Sequence, residues 1–262
     1  MNTAAAITDD LWIRFLEDAI GGLREAARRI GAADLKAHYE ARLGWFGKAR
    51  RRQGGHRFPM EEAISHALVE VLKKMQSEQL VEGRSSFGID LARMEFQTEV
   101  PRKIEEGIGR KSNPTDIMIA ITHDDIDLRI EAKNVLKAAD VSREYLGANG
   151  LGRFDNVQSP YTMKKFGAMV AYVMDLDAAR WSKQITQAIW NTDPPLTILT
   201  TIIAGEALTT TSHEREIDNP LHKIKGYCRT DVVHLVLEFE ASPSLRGPSV
   251  GGHPLTVSPC PM

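Results

Sequence analysis

The chain has 262 residues, 42% hydrophobic and 26% charged, an ordinary globular composition with length enough for one large domain or two small ones. A net charge of −2 excludes a polycation, so any hold on nucleic acid has to come from local basic patches. The two cysteines, Cys228 and Cys260, lack metal-ligand spacing and form no disulfide framework, which suits a reducing compartment.

MNTAAAITDD lacks the basic and apolar regions of a signal peptide. No apolar run approaches the roughly 20 residues needed to cross a bilayer. A cytoplasmic protein without membrane contact is expected.

From Thr8 to about Ile30, apolar side chains recur at helical spacing (Leu11, Phe15, Leu16, Ile20, Leu23, Ala27, Ile30), with Thr8 or Asp9 as the expected cap. A second helical stretch is expected from Ala33 to Phe46. The run KARRRQGGHR, Lys48 to Arg57, places Arg50, Arg51 and Arg52 beside a Gly-Gly break and reads as a basic arm. Pro59 opens the next helix, PMEEAISHALVEVLKKMQSEQ, and LARMEFQTEV alternates as a strand. A basic loop with Arg102, Lys103, Arg110 and Lys111 leads into two strands around the turn His123-Asp124-Asp125.

Downstream, GANGLGR (Gly147 to Arg153) reads as a loop, without the spacing of a dinucleotide fingerprint. SPYTMKKFGAMVAYVMD is expected to be helical, with AARWSKQITQAIWN as its continuation or a second helix. Trp181 and Trp190 are expected in a core or an interface. LTILTTIIAG and VVHLVLEFE are expected strands, and Thr211 to Arg215 a polar loop. There His213 and Arg215 are secondary candidates for phosphate contact, and no G-x-S-x-G elbow supports a serine triad. From Ala241 the chain is rich in Pro, Gly and Ser and is expected to be disordered. The order predicts an α/β fold, a mixed sheet with helices on its faces. Three regions are expected: an N-terminal helical extension with the basic arm over 1–57, a main domain over 58–240, and a tail over 241–262.

The chemistry concentrates in NPTDIMIAITHDDIDLRIEAKN, Asn113 to Asn134. Residues i and i+2 of a strand share a face, so Glu131 and Lys133 point the same way. Counted back from the turn, Asp116 lies at their end of the hairpin. Two carboxylates and an ammonium thus meet at one edge of an apolar sheet. Burying such acids costs several kcal/mol unless something compensates. A divalent cation with oxygen ligands is a natural compensation, and the lysine can then orient or deprotonate water or neutralise developing charge. E-x-K alone is weak. Asp34-Leu35-Lys36 repeats its chemistry in a helical stretch, where i and i+2 do not face one another.

With Pro114-Thr115-Asp116 before one strand and Glu131-Ala132-Lys133 closing the next, the stretch resembles the PD-(D/E)xK, or restriction-endonuclease-like, nuclease superfamily. That resemblance implies that Asp116 and Glu131 hold Mg2+, with Mn2+ as a substitute, that the backbone carbonyl of Ala132 assists, and that Lys133 serves the attacking water. It implies a restriction-endonuclease-like sheet and a metal-dependent endonuclease acting on DNA, in restriction, anti-phage defence or repair. A controlling partner such as a helicase or ATPase, or a homodimer, goes with it. Many members carry a further glutamate on the helix before the sheet. Here helical geometry puts Glu61 about 20° from Leu68, inside the apolar stripe, and Glu62 about 120° away, so Glu61 is the expected accessory acid. His66 falls on the opposite, solvated face. Expected nucleic-acid contacts are Arg50, Arg51, Arg52, Arg110, Lys111, Arg153, Lys164 and Lys165, with Phe154 stacking on a base or packing inside. The alternatives are an RNA-directed nuclease and a non-catalytic nucleic-acid-binding subunit that keeps the fold while the charges only stabilise the hairpin.

Overall fold

The computed structural model describes residues 3–32, 35, 37, 61–83, 88–100, 115–121, 126–155, 161–162, 164–203, 205–219 and 224–239. A seven-stranded mixed sheet is flanked by helices. Among the described residues the long helices are α1 (Thr3–Gly31), α2 (Glu61–Glu82) and α3 (Ala178–Trp190), with short helical turns at Ala138–Asp140, Val141–Tyr145 and Leu151–Arg153. The strands are β1 (Met94–Val100), β2 (Thr115–Ile121), β3 (Asp127–Asn134), β4 (Phe166–Val173), β5 (Thr197–Ile203), β6 (Glu206–Asn219) and β7 (Ile224–Glu238), in the order β1-β2-β3-β4-β7-β6-β5. β3, β4 and β7 are mutually parallel, and every other neighbouring pair is antiparallel.

Two hydrophobic clusters cover the two faces. Ile64, Leu68, Leu72 and Met75 of α2 and Phe15, Ile20 and Leu23 of α1 pack on Ile117, Ile130, Val170 and Leu235. The N-terminal helical region therefore feeds the main core, and Trp12 lies 5.5 Å, centroid to centroid, from Phe166. On the opposite face, Trp181, Ile185 and Ile189 of α3 join Tyr145, Phe154, Tyr161, Met169 and Val232.

Several expectations change. α1 starts at Thr3, so neither Thr8 nor Asp9 caps it. FGAMVAYV is not a helix but β4, buried at all eight positions. A strand covered on both faces reads as a continuous apolar run and loses the alternation that would identify it. Lys164 and Lys165 consequently precede a strand, and their carbonyls accept from Thr230 Oγ1 and Asp231 N on β7. Thr211 to Arg215 is not a loop but part of β6. Its inward positions carry Thr211, His213 and Arg215, polar residues that are buried and hydrogen-bonded, with Arg215 Nε left without a partner among the described residues. Trp181 is in the core, whereas Trp190 is 66% exposed.

The glycines of GANGLGR serve packing. A Cβ at Gly147 or Gly150 would collide with the backbone carbonyls of Arg143 and Tyr145. Of the expected helix of 33–46 the described residues include Leu35 and Ala37, both helical; the arm 48–57 with Arg50, Arg51 and Arg52, Pro59, the loop with Arg110 and Lys111, the turn 123–125 and the tail 241–262 lie outside the described residues. Among the described residues no helix is long and apolar enough to cross a membrane.

Candidate active site at the open edge of β3

β2 and β3 pair from Ala120↔Asp127 to Ile117↔Ile130, and there their ladder ends. One step further, Asp116 stands opposite Glu131, on the same face. The N–H groups of Ala132 and Asn134, two residues apart, point to the edge that β2 no longer covers. Carboxylates take both. Ala132 N donates to Asp116 Oδ2 at 2.7 Å, and Asn134 N donates to Glu61 Oε1 at 2.8 Å. The carbonyl of Ala132 shares the edge of its N–H. Buried backbone donors need partners, so the strand geometry itself draws Asp116 and Glu61 to this spot.

Glu131 is 2% exposed. Lys133 Nζ lies 2.6 Å from Glu131 Oε1 and 3.6 Å from Glu61 Oε2, so one ammonium bridges two acids. The Tyr161 hydroxyl donates to Glu131 Oε2, and Arg153 Nη1 sits 3.7 Å from Glu131 Oε1 while donating to the Tyr161 oxygen. Glu61, on the first turn of α2, reaches the group from the other side of the sheet with its side chain 30% exposed; Glu62 is exposed.

The electrostatics are under tension. Burial, then repulsion from Glu131, pushes the Asp116 carboxyl up to about 7, against the pull of Ala132 N–H and Lys133. Burial likewise raises Glu61, offset in part by Lys133 and Asn134 N–H. Burial works against the Lys133 ammonium, but the carboxylates of Glu131, Glu61 and Asp116 outweigh it and raise its pKa. Tyr161 is raised by burial and by Glu131, so its hydroxyl keeps its proton and donates.

Among the described residues no group of three His, Cys, Asp or Glu side chains is arranged to hold a metal ion. The donor chemistry of the edge fits a hard cation all the same. It offers only oxygens, and Asp116 carries a repulsion that an added positive charge would relieve.

The structure brings together Asp116, Glu131, Lys133, Ala132, Glu61 and Arg153. It engages Arg153 with Glu131 and Tyr161, its guanidinium 5.2 Å from the tyrosine ring centroid, and buries Phe154 completely. Lys165 is exposed and lies over Phe166. His66 is exposed, 3.2 Å from Thr98 Oγ1. Sequence reasoning missed Tyr161; only its place in S-P-Y-T, shortly before an apolar run, hinted at an anchored aromatic.

A cavity of about 490 Å³ lies between residues 138–142 and α3, lined by Arg180, Lys183, Gln184, Gln187 and Asn191 and by no carboxylate. Asp155, His213 and Thr211 resemble a hydrolase triad, with Asp155 Oδ1 2.7 Å from His213 Nδ1 and Thr211 Oγ1 2.8 Å from His213 Nε2. Thr211 is fully buried and its hydroxyl also meets His234 Nε2 at 2.9 Å, so no nucleophile is presented to a substrate.

Comparison with family models, with curated proteins and with solved structures returns no match for this chain.

Proposed function

We propose that the chain is a metal-dependent endonuclease of the restriction-endonuclease-like fold, acting on DNA. The observation that carries this reading is the meeting of Asp116, Glu131, Glu61 and Lys133 at the edge where β2 leaves β3. Asp116, Glu131, the Ala132 carbonyl and Glu61 would hold Mg2+ or Mn2+, which supplies Lewis-acid polarisation of the phosphodiester and a lowered pKa for water. Lys133 stays an ammonium at neutral pH, because the acids around it raise its pKa. It therefore neutralises charge developing on the phosphate instead of taking a proton from water. Glu61, partly exposed and with its pKa raised, is placed to accept that proton. Tyr161 and Arg153 fix the Glu131 carboxylate.

The test is incubation of the purified chain with plasmid, linear and single-stranded DNA and with RNA, in Mg2+, Mn2+ or EDTA. Cleavage of DNA that EDTA abolishes is expected; cleavage of RNA alone moves the substrate assignment. One observation favours a second reading, a non-catalytic binding subunit: Lys133, Tyr161 and two backbone N–H groups already engage the acids within the chain. Retention of nucleic acid without turnover in any metal would establish that reading.

A further inference from the structure

We propose that Arg215 and His213, two buried side chains on β6, are positioning residues for the Glu131 carboxylate, acting through the chain on either side of residues 156–160. Arg215 is 4% exposed. Its Nη1 donates to the Phe154 carbonyl, and its Nη2 donates to the Thr162 carbonyl at 2.6 Å and to Thr230 Oγ1 at 2.9 Å. One guanidinium therefore grips both ends of the segment that delivers Tyr161 to the acid edge. His213, two residues earlier on the same face of β6, adds a third point through Asp155.

An arginine at an inward strand position is costly. A guanidinium does not shed its proton, and burying it costs several kcal/mol unless its hydrogen bonds are made. Among the described residues no carboxylate pairs with Arg215; its partners are two carbonyls, a hydroxyl and the Cys228 sulfur at 3.8 Å. An apolar residue would fill the same position without the desolvation cost. What the arginine adds is the bridge between Phe154 and Thr162, a task for a rigid fork of donors. Tyr161, beside the second anchor, sets its hydroxyl on Glu131, and Arg153, beside the first, sets its guanidinium on both. Gly167 on β4 keeps the anchored Phe154 ring in place, because a Cβ there would enter that ring. β6 is three strands from β3 in the sheet, so the hold on Glu131 passes through this segment and not through the ladder.

The inference rests on the proposed cation site only for one of its readouts. Arg215→Met, Arg215→Lys, Tyr161→Phe and the Arg215→Met/Tyr161→Phe pair are prepared, with folding checked by circular dichroism. Tetranitromethane nitration, located by mass spectrometry without metal or substrate, is expected to reach Tyr161 in Arg215→Met but not in the wild type, with Tyr145 and Tyr172 protected in both. Mn2+ affinity, measured by direct titration, is expected to fall at least about tenfold in Arg215→Met, as when a group orienting a ligand is lost. The double variant is expected to lose less Mn2+ affinity than the two single losses added together, since both changes act in large part through the Tyr161–Glu131 contact. Arg215→Lys, which keeps the charge but not the fork, is expected to fall between; if Arg215→Met does not fold, Arg215→Lys and His213→Gln carry the same test. A Tyr161 that stays protected, or losses that simply add in the double variant, would overturn the inference. If the wild type binds no Mn2+, the proposed function fails, and the nitration pattern alone decides the positioning role.

Discussion

Two clusters of polar side chains, largely buried, lie on either side of β4, and they meet burial in opposite ways. At the β3 edge, three acids share one close ammonium, and Asp116 is pushed up to about 7. Across β4, the chain Asp155–His213–Thr211–His234–Tyr145 ends on the Met169 carbonyl, each link a hydrogen bond of 2.7 to 3.1 Å. Met169 stands in register between Glu131 and His234. The second cluster is satisfied, and burial followed by the nearby His213 keeps His234 neutral, with its pKa lowered to about 3. The first holds negative charge that its own residues do not fully balance. A satisfied network specifies a core, whereas an unbalanced one is where a cation or a reacting group is accommodated.

The sharpest break between the two is catalytic. Glu131→Ala or Lys133→Ala is expected to lower cleavage by at least about 100-fold, the range of a lost catalytic group, with far-ultraviolet circular dichroism unchanged. Tyr145→Phe, at the far end of the second cluster from His213, is expected to leave the rate of the folded fraction alone. Plasmid nicking at equal folded concentration measures both. Full activity in either alanine variant removes the motif from the mechanism.

The two clusters are also expected to slope in opposite directions with pH. Asp116 has a folded pKa above its ordinary value of 3.8, so between about 4 and 7 the folded state binds more protons than the unfolded one. Its contribution to stability is present below about 4 and is lost as pH rises through 7. At about 1.4 kcal/mol per pKa unit, Asp116→Asn is expected to stabilise the protein by a few kcal/mol at pH 8. That gain shrinks toward pH 4, and cleavage is lost throughout. Urea unfolding across this range checks it, and a variant no more stable than wild type at pH 8 contradicts the electrostatic reading.

His234 has a folded pKa below its ordinary value of 6.5, so its contribution is present above 6.5 and is lost as pH falls toward 3. His234→Gln is expected to cost about 1–3 kcal/mol at pH 7.5 through impaired hydrogen bonds. It is also expected to flatten the acid limb of the stability curve, read from urea midpoints at pH 4.5 and 7.5. An acid limb as steep as that of wild type assigns the sensitivity elsewhere.

The smallest effect separates two adjacent acids. Glu61→Gln keeps an acceptor for Asn134 N but loses the charge beside Lys133, and cleavage is expected to fall about tenfold, equal to about 1.4 kcal/mol. Glu62, exposed, supplies only a charge at the helix N-terminus, worth roughly 0.3–1 kcal/mol of stability, and Glu62→Gln is expected to keep its rate. Steady-state cleavage by the pair, at several Mg2+ concentrations, tells a loss of cation affinity from a loss of chemistry.

Local pattern alone determined the antiparallel strand pair, the shared end of Asp116, Glu131 and Lys133, and that Glu61 rather than Glu62 turns toward that end. Strands alternate every two residues and helices turn about 100° per residue, so these placements need only the spacing of nearby residues. The tertiary structure decided what local pattern leaves open. β4, covered on both faces, carried no alternation to tell it from a helix. β6 carries into the core polar residues whose pattern reads as a loop, and the partners that make their burial tolerable stand far off in sequence: Asp155 for His213, and Phe154 and Thr162 for Arg215. Tyr161 has no local signature, because what defines it is a carboxylate 30 residues away, brought beneath it when β3 and β4 pair and β6 holds the segment between them. Periodicity is a property of one segment, but the satisfaction of a buried charge belongs to the assembled sheet, and there the site is completed.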